Sequence, residues 1–278
     1  MKVLLTGSSS LLGAQVVRQL VQRGDTVRVM QRRPSDVAEE LGLEQHLGEV
    51  VDETVATAAV AGVDTVIHLA ARVGVVGTRK QFFDTNVVGT RVVLAAAQNA
   101  GVQRFVFVSS PSVAHTGTAL AGQGAEAADP RHAKGEYSKS KALAEKEVLA
   151  ADGAGIATIA VRPHLVWGPG DTQLIGRIVE RARQGRLALV AGGRPLIDTT
   201  YLDNAADAVI AAADRAQAGH GRAFIVSNGE PRTVEEMVAR ICEAAGERPP
   251  DRSVPRAAAW AAGAVAETVW KVSGRQDD

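Results

Sequence analysis

Cysteine is almost missing from this chain. Its 278 residues hold a single one, Cys242, so no intrachain disulfide braces the fold. In the helix predicted from Val234 to Ala245 that thiol reads as a core filler, not a reactive group. An excess of either charge is also missing. Lys plus Arg and Asp plus Glu number 31 each, which leaves no electrostatic footprint for nucleic acid or an anionic membrane as the main partner. No apolar run approaches the roughly 20 residues that a membrane-spanning helix needs. The start, Met1-Lys2-Val3-Leu4-Leu5-Thr6-Gly7, is too short in apolar residues for a signal peptide, so a cytoplasmic protein is expected. The six histidines, His46, His68, His115, His132, His164 and His220, show no metal-ligand spacing and no H-E-x-x-H, and no metal site is expected. The G-x-S-x-G elbow of serine hydrolases is absent, as is any internal repeat.

What is present is a 46% hydrophobic chain with 28 glycines, enough for a substantial core with many tight turns. Short β-branched runs at Lys2–Leu5, Thr26–Met30, Glu44–Gly48, Thr65–Leu69, Arg104–Val108 and Thr158–Arg162 alternate with helical patterns. The helices are expected at Ala14–Arg23, Asp52–Ala61, Gln81–Ala100 and Ser138–Ala151. That alternation predicts an α/β protein, a doubly wound parallel sheet of the Rossmann kind. The character changes after Trp167-Gly168-Pro169-Gly170. We read residues 1–167 as a dinucleotide-binding domain and 168–278 as a smaller substrate-binding lobe, some of whose elements are free to return to the main sheet. The loop from His115 to Ala133 is rich in glycine and alanine and suits a mobile or pocket-covering segment. Arg256–Val272, with Trp260 and Trp270 among alanines, fits packing against the lobe better than a membrane-surface or dimer helix.

Thr6-Gly7-Ser8-Ser9-Ser10-Leu11-Leu12-Gly13 joins the first strand to the first helix. Glycines there permit a tight turn and close approach of backbone to a pyrophosphate resting on the helix N-terminus. Ser10 stands where a middle glycine is usual, adding a Cβ and a hydroxyl donor near the phosphates. The second strand ends Met30-Gln31-Arg32-Arg33, with no acid before Asp36. A carboxylate there would hold a ribose 2′-hydroxyl; Arg32 or Arg33 would instead grip a 2′-phosphate, which favours NADP(H) over NAD(H).

In Tyr137-Ser138-Lys139-Ser140-Lys141, helical spacing puts Tyr137 and Lys141 on one face. A phenol titrates near 10, and lowering it toward 7 takes roughly 4 kcal/mol of differential stabilisation, which a neighbouring ammonium would supply. Lys139 points elsewhere. The pair suits general acid-base catalysis.

With the glycine loop, Ser109-Ser110 and Tyr137/Lys141 in this order, the chain resembles the extended short-chain dehydrogenase/reductases. Within them it looks most like the 3β-hydroxysteroid dehydrogenase type, which includes 2-alkyl-3-oxoalkanoate reductases and sterol-4-carboxylate dehydrogenases. His68-Leu69-Ala70-Ala71, Asn86-Val87-Val88-Gly89-Thr90, Val108-Ser109-Ser110-Pro111-Ser112-Val113, Arg162 to Asp171, Asp198 to Asp207 and Ser227 to Pro231 carry the likeness. The resemblance implies that Tyr137 is the acid/base, that Lys141 lowers its pKa and binds the nicotinamide ribose, and that Ser110, in preference to Ser109, bonds the substrate oxygen. It implies a cofactor lining of Gly7, Ser9, Ser10, Leu11, Leu12, Gly13, Arg32, Arg33, Glu49, Leu69, Ala70, Ala71, Arg72, Asn86, Val108, Pro163, Leu165 and Val166, besides Tyr137 and Lys141. Glu49 stands where an adenine-contacting Asp is usual, Ala114 where Tyr is frequent, and relatives usually run further than Asp278.

The expected activity is interconversion of a 3-keto and a 3-hydroxy group on an apolar substrate, in a homodimer with peripheral membrane contact left open. The sparse charge of Val73–Gly77 agrees with an apolar substrate. A nucleotide-sugar epimerase or dehydratase with tightly held NAD shares this fold and triad, though Pro111 replaces the acid that dehydratases place after the serine. A non-catalytic dinucleotide sensor is the third reading, disfavoured by retention of both Tyr137 and Lys141.

Overall fold

The computed structural model describes residues 1–74, 77–117, 122, 124–153, 155–261 and 263. Val75 and Val76 of the sparse-charge segment, parts of the 115–133 loop, and Trp270 with most of the Arg256–Val272 segment lie outside them. Two compact units are formed: Met1–Val166 with Thr200–Asn228, and Trp167–Thr199 with residues from Gly229 onward.

In chain order the larger unit begins β1 (Lys2–Thr6), α1 (Leu11–Gln22), β2 (Thr26–Gln31), α2 (Asp36–Glu40), β3 (Glu44–Leu47), α3 (Glu53–Val60) and β4 (Thr65–His68). It continues with α4 (Arg79–Phe83), α5 (Gly89–Asn99), β5 (Arg104–Val108), α6 (Glu136–Ala150) and β6 (Ala157–Pro163). The short β7 (Leu165–Trp167), α7 (Ile175–Arg183), β8 (Leu189–Val190), β9 (Leu196–Ile197) and β10 (Thr199–Tyr201) follow. The chain then runs through α8 (Leu202–Asp214), α9 (Ala216–Gly219), β11 (Arg222–Val226), β12 (Arg232–Thr233), α10 (Val234–Ala244) and β13 (Ser253–Val254).

Seven strands of the larger unit form one sheet in the order β11-β6-β5-β4-β1-β2-β3, parallel throughout. Parallel strands covered by helices on both faces read as continuous apolar runs. Thus Thr65–His68 is buried at every position, and Phe105, Val106 and Phe107 are fully buried. One face packs Val16, Val17 and Leu20 of α1 together with Ala206, Val209, Ile210 and Ala213 of α8. The other packs α3, α5 and α6 through Ala56, Val93, Ala97, Ala144 and Val148. Burying each such Val or Leu contributes about 1.5–3 kcal/mol. The alanines of α8 recur at helical spacing, which is why Thr200–Asn228 returns to this unit and supplies the β11 edge.

The single helix expected over Gln81–Ala100 is instead α4, a π turn at Asp84–Val88, and α5. It starts earlier because Thr78 caps it: Thr78 Oγ1 accepts from Gln81 N at 3.2 Å while Gln81 Oε1 accepts from Thr78 N at 2.9 Å. In the smaller unit, Cys242 is buried with Leu189 and Val238 against Ile178, Ala182 and Met237, and burial raises its thiol pKa. It is packing material there. No helix among the described residues is long and apolar enough to cross a membrane.

Candidate active site

The strand order reverses between β1 and β4, the crevice where open α/β sheets bind ligands at their carboxyl ends. Gly7 sits at that point with φ +82°, and a Cβ built on it would lie 2.9 Å from Ala70 N. Only glycine lets the loop lie against Leu69 and Ala70. Ser10 is the N-cap of α1: its hydroxyl donates to Gly7 O at 2.9 Å and accepts from Gly13 N at 3.0 Å. The hydroxyl read from sequence as a phosphate donor is therefore turned into the loop. The first turn of α1 carries no acid, and the amides of Leu11 and Leu12 make no hydrogen bond among the described residues. Two open N–H groups at the positive end of a helix dipole fit an anionic pyrophosphate. Ser9 is exposed beside them.

At the end of β2 the Gln31 side chain turns inward, accepting from the Ser8 hydroxyl and donating to Gln45 Oε1 at 2.8 Å. Arg32 and Arg33 are exposed and have no bonded partner among the described residues, and Glu49 is exposed beyond β3. Leu69, Ala70 and Ala71 are half-buried. Arg72 packs its guanidinium over the Phe82 ring, 5.7 Å from the centroid. Asn86 is 1% exposed and its amide is bonded by protein: Oδ1 accepts from Arg72 N at 2.7 Å, and Nδ2 donates to Arg72 O at 3.0 Å and to Ser140 Oγ at 2.9 Å. These bonds clamp the segment after β4, and both amide hydrogens of Asn86 are spent in them. Pro163 ends β6, and Leu165 and Val166 follow it, Leu165 being 37% exposed.

Ser110 follows β5, its hydroxyl near enough to the Tyr137 phenol to pull that pKa down. Its hydroxyl also lies 2.9 Å from Ser112 Oγ. Ser109, by strand alternation, points to the other face, and its buried Oγ has no partner among the described residues. Lys141 is 2% exposed; its Nζ donates to Val108 O at 2.7 Å and stands 3.9 Å from the Phe107 ring centroid. Burial pulls its pKa down to about 7, opposed by the carboxylate of Glu145 one turn on. Burial raises the Tyr137 phenol, opposed by the nearby Ser110 hydroxyl. The sequence expectation that Lys141 lowers this phenol is not met in this arrangement, because the ammonium is aimed at the Val108 carbonyl and the desolvation of Tyr137 dominates.

Sequence reasoning missed the fully buried pair behind this turn. Arg162 Nε donates to Glu145 Oε2 at 2.9 Å and Nη2 to Oε1, both side chains being 1% exposed, while Arg162 Nη1 donates to Glu126 O at 2.7 Å. The signal was an acid four residues after Lys141, on its face of the helix. His68 is fully buried, and Thr6 and Thr90 meet its ring nitrogens at 2.8 and 3.0 Å.

The chain matches the 3-beta hydroxysteroid dehydrogenase/isomerase family over residues 4–256. It is 41% identical over 275 residues to a 2-alkyl-3-oxoalkanoate reductase of Stenotrophomonas maltophilia, covering 97% of this chain and 83% of that protein. It is 34% identical over 261 residues to a 3 beta-hydroxysteroid dehydrogenase/Delta 5-->4-isomerase of Mycobacterium tuberculosis, covering 90% of this chain and 70% of the relative. The Thermus thermophilus UDP-glucose 4-epimerase in complex with NAD superposes with a TM-score of 0.75 at 25% identity, covering 92% of this chain and 86% of that one. Fold, site and likeness define an NAD(P)-dependent oxidoreductase of the extended short-chain dehydrogenase/reductase class. Within that class the chain belongs to the 3-beta hydroxysteroid dehydrogenase/isomerase family.

Proposed function

We propose that this enzyme reduces the 3-keto group of an apolar oxo acid of the 2-alkyl-3-oxoalkanoate kind, using NADPH, with Ser110, Tyr137 and Lys141 as its catalytic residues. The supporting observation is the Ser110 hydroxyl acting on the Tyr137 phenol at the sheet's carboxyl edge, with Lys141 Nζ held beneath them by Val108 O at 2.7 Å. A phenol protonated at neutral pH has a proton to give to a carbonyl oxygen. When bound, the dinucleotide supplies the hydride that adds to the carbonyl carbon. Tyr137 Oη transfers its proton to the developing alkoxide, and the Ser110 hydroxyl steadies that charge. The reaction thus balances as one hydride and one proton added across C=O. Lys141 stands beneath the same turn, and Gly7, Leu11, Leu12 and Gly13 shape the phosphate cradle. The exposed Arg32 and Arg33, with Gln31 in place of an acid, favour a 2′-phosphate.

The substrate class follows the reductase at 41% identity; oxidation of a 3β-hydroxysteroid is the second choice, on the M. tuberculosis relative. Purified protein assayed for NADPH and NADH oxidation against 3-oxo acids, ketosteroids and nucleotide sugars tests both. Highest kcat/KM with NADPH and a 2-alkyl-3-oxo acid is expected. Turnover of nucleotide sugars alone, with NAD surviving gel filtration, would overturn the assignment in favour of an epimerase.

A further inference from the structure

A run of buried side chains links the end of β1 to the catalytic turn of α6, and its hydrogens have only one consistent order. Ala70 N donates to Thr6 Oγ1 at 3.1 Å, and Thr6 Oγ1 lies 2.8 Å from His68 Nδ1. His68 Nε2 lies 3.0 Å from Thr90 Oγ1, whose own hydrogen goes to Asn86 O at 2.7 Å. Thr90 has one hydroxyl hydrogen and has given it to Asn86, so His68 must donate from Nε2 and accept from Thr6 at Nδ1. The Asn86 amide then holds Ser140 Oγ, and Ser140 gives its hydrogen to the Tyr137 carbonyl at 2.8 Å. Thr6 and His68 are 0% exposed, Thr90 and Asn86 1%, and Ser140 6%.

The first turn of α6 needs such an anchor. Its N-cap is Gly135, with φ +85° and no capping side chain, so its opening amides lack the usual restraint. Tyr137 stands in that turn. Asn86 reaches Ser140 from the π turn of Asp84–Val88, a helix irregularity of the kind that recurs at functional sites.

We propose that Ser140, held by Asn86, is a positioning residue that fixes the Tyr137 turn against the segment after β4 and, through Thr90, His68 and Thr6, against the strand bearing the glycine loop. This rests on the function proposed above, in which Tyr137 delivers the proton. Ser140 touches neither substrate nor dinucleotide in that scheme. Its loss therefore lowers kcat and leaves dinucleotide affinity in place, whereas a merely structural serine would lower both along with stability.

The experiment compares wild type, Ser140→Ala and Asn86→Asp. The Asp variant cannot donate to Ser140 Oγ or Arg72 O. Three readings are taken: kcat, the NADPH dissociation constant by fluorescence, and amide hydrogen exchange at Lys139 and Lys141. Expected are a fall in kcat of about tenfold or more for each variant, since small misplacements of a catalytic group cost up to ~100-fold. The Ser140→Ala dissociation constant should stay within about threefold, and exchange at Lys139 and Lys141 should rise at least about tenfold while α5 amides stay unchanged. Exchange and kcat both within twofold of wild type would overturn the proposal, as would an equal rise in exchange across α5. Should wild type turn over no carbonyl substrate, the assigned reaction fails, and the exchange arm alone decides whether the tether exists. A ¹⁵N spectrum showing His68 protonated at Nδ1 instead of Nε2 would break the chain at its centre.

Discussion

Replacing Glu145 by glutamine removes one charge from a pair sealed inside the larger unit. Glu145 and Arg162 are each 1% exposed, and the guanidinium meets the carboxylate through both Nε and Nη2. In the variant Arg162 keeps its charge but retains only amide oxygens, among them Glu126 O at 2.7 Å. An uncompensated buried charge of this kind costs about 3–5 kcal/mol. With a urea m-value near 2 kcal/mol/M, the unfolding midpoint should move down by about 2 M. The double replacement Glu145→Leu with Arg162→Met removes both charges and should cost far less than the sum of the single changes, because no ion is left stranded. Activity should report the same carboxylate: Glu145 opposes the downward push of burial on Lys141, so its neutralisation lowers the pKa of that ammonium further. Any limb of the pH–rate profile due to Lys141 then moves to lower pH. Urea titration of the three proteins decides. A single-variant loss under about 1 kcal/mol, or additive single and double variants, would refute a pair that holds its charge in a dry interior.

Other outcomes follow from the same geometry. Tyr137→Phe should lose about 10²–10⁴-fold in kcat, the range for general acid catalysis, with NADPH binding kept. Removing both basic residues in Arg32→Ala/Arg33→Ala should raise the KM for NADPH at least about tenfold, as loss of a charge-assisted bond worth roughly 1.5–3 kcal/mol requires, and leave that for NADH almost unmoved. Gly7→Ala should destabilise the fold and abolish dinucleotide binding, measurable by thermal melting and fluorescence, because its Cβ meets Ala70 N at 2.9 Å with φ at +82°. His68, held down to about 3, is neutral when folded and takes a proton when unfolded below 6.5, so its share of stability is complete above 6.5 and is lost as pH falls toward 3. Melting temperatures of wild type and His68→Gln between pH 3 and 7 should therefore converge as pH falls.

Elements with strong local signals were legible before the fold was seen. Arg104–Val108 is a strand because an apolar β-branched and aromatic run suits a sheet interior, and the break at Gly101 sets its start. Thr78 was passed over as a helix start because the helical pattern of apolar residues begins later than the cap that launches it. The region 202–226 was harder. An alanine-rich stretch has little contrast between faces, so α8 is assigned to the main sheet only by the packing of Ala206, Val209, Ile210 and Ala213 on it. The π turn is a register change with no composition of its own.

The candidate site shows the same division between what spacing carries and what burial adds. Spacing of four put Tyr137 and Lys141 on one face, but it gave no depth, and depth sets the sign of each shift. A lysine in water would help its neighbour ionise. A lysine 2% exposed and bonded to Val108 O has its pKa pulled down, and the phenol beside Ser110 has its pKa pushed up. Both groups thereby approach their neutral forms, which makes this protein without its dinucleotide a better holder of a phenolic proton than a taker of one. The phosphates of a bound dinucleotide would favour the ammonium, and an ammonium restored at Lys141 would in turn favour phenolate. Occupancy of the glycine loop should therefore lower the pKa of Tyr137 by way of Lys141. Titrating the tyrosine absorbance with and without NADP should show the phenol pKa falling on binding in wild type, with no such fall in Lys141→Met. An equal fall in both proteins would detach Lys141 from that coupling.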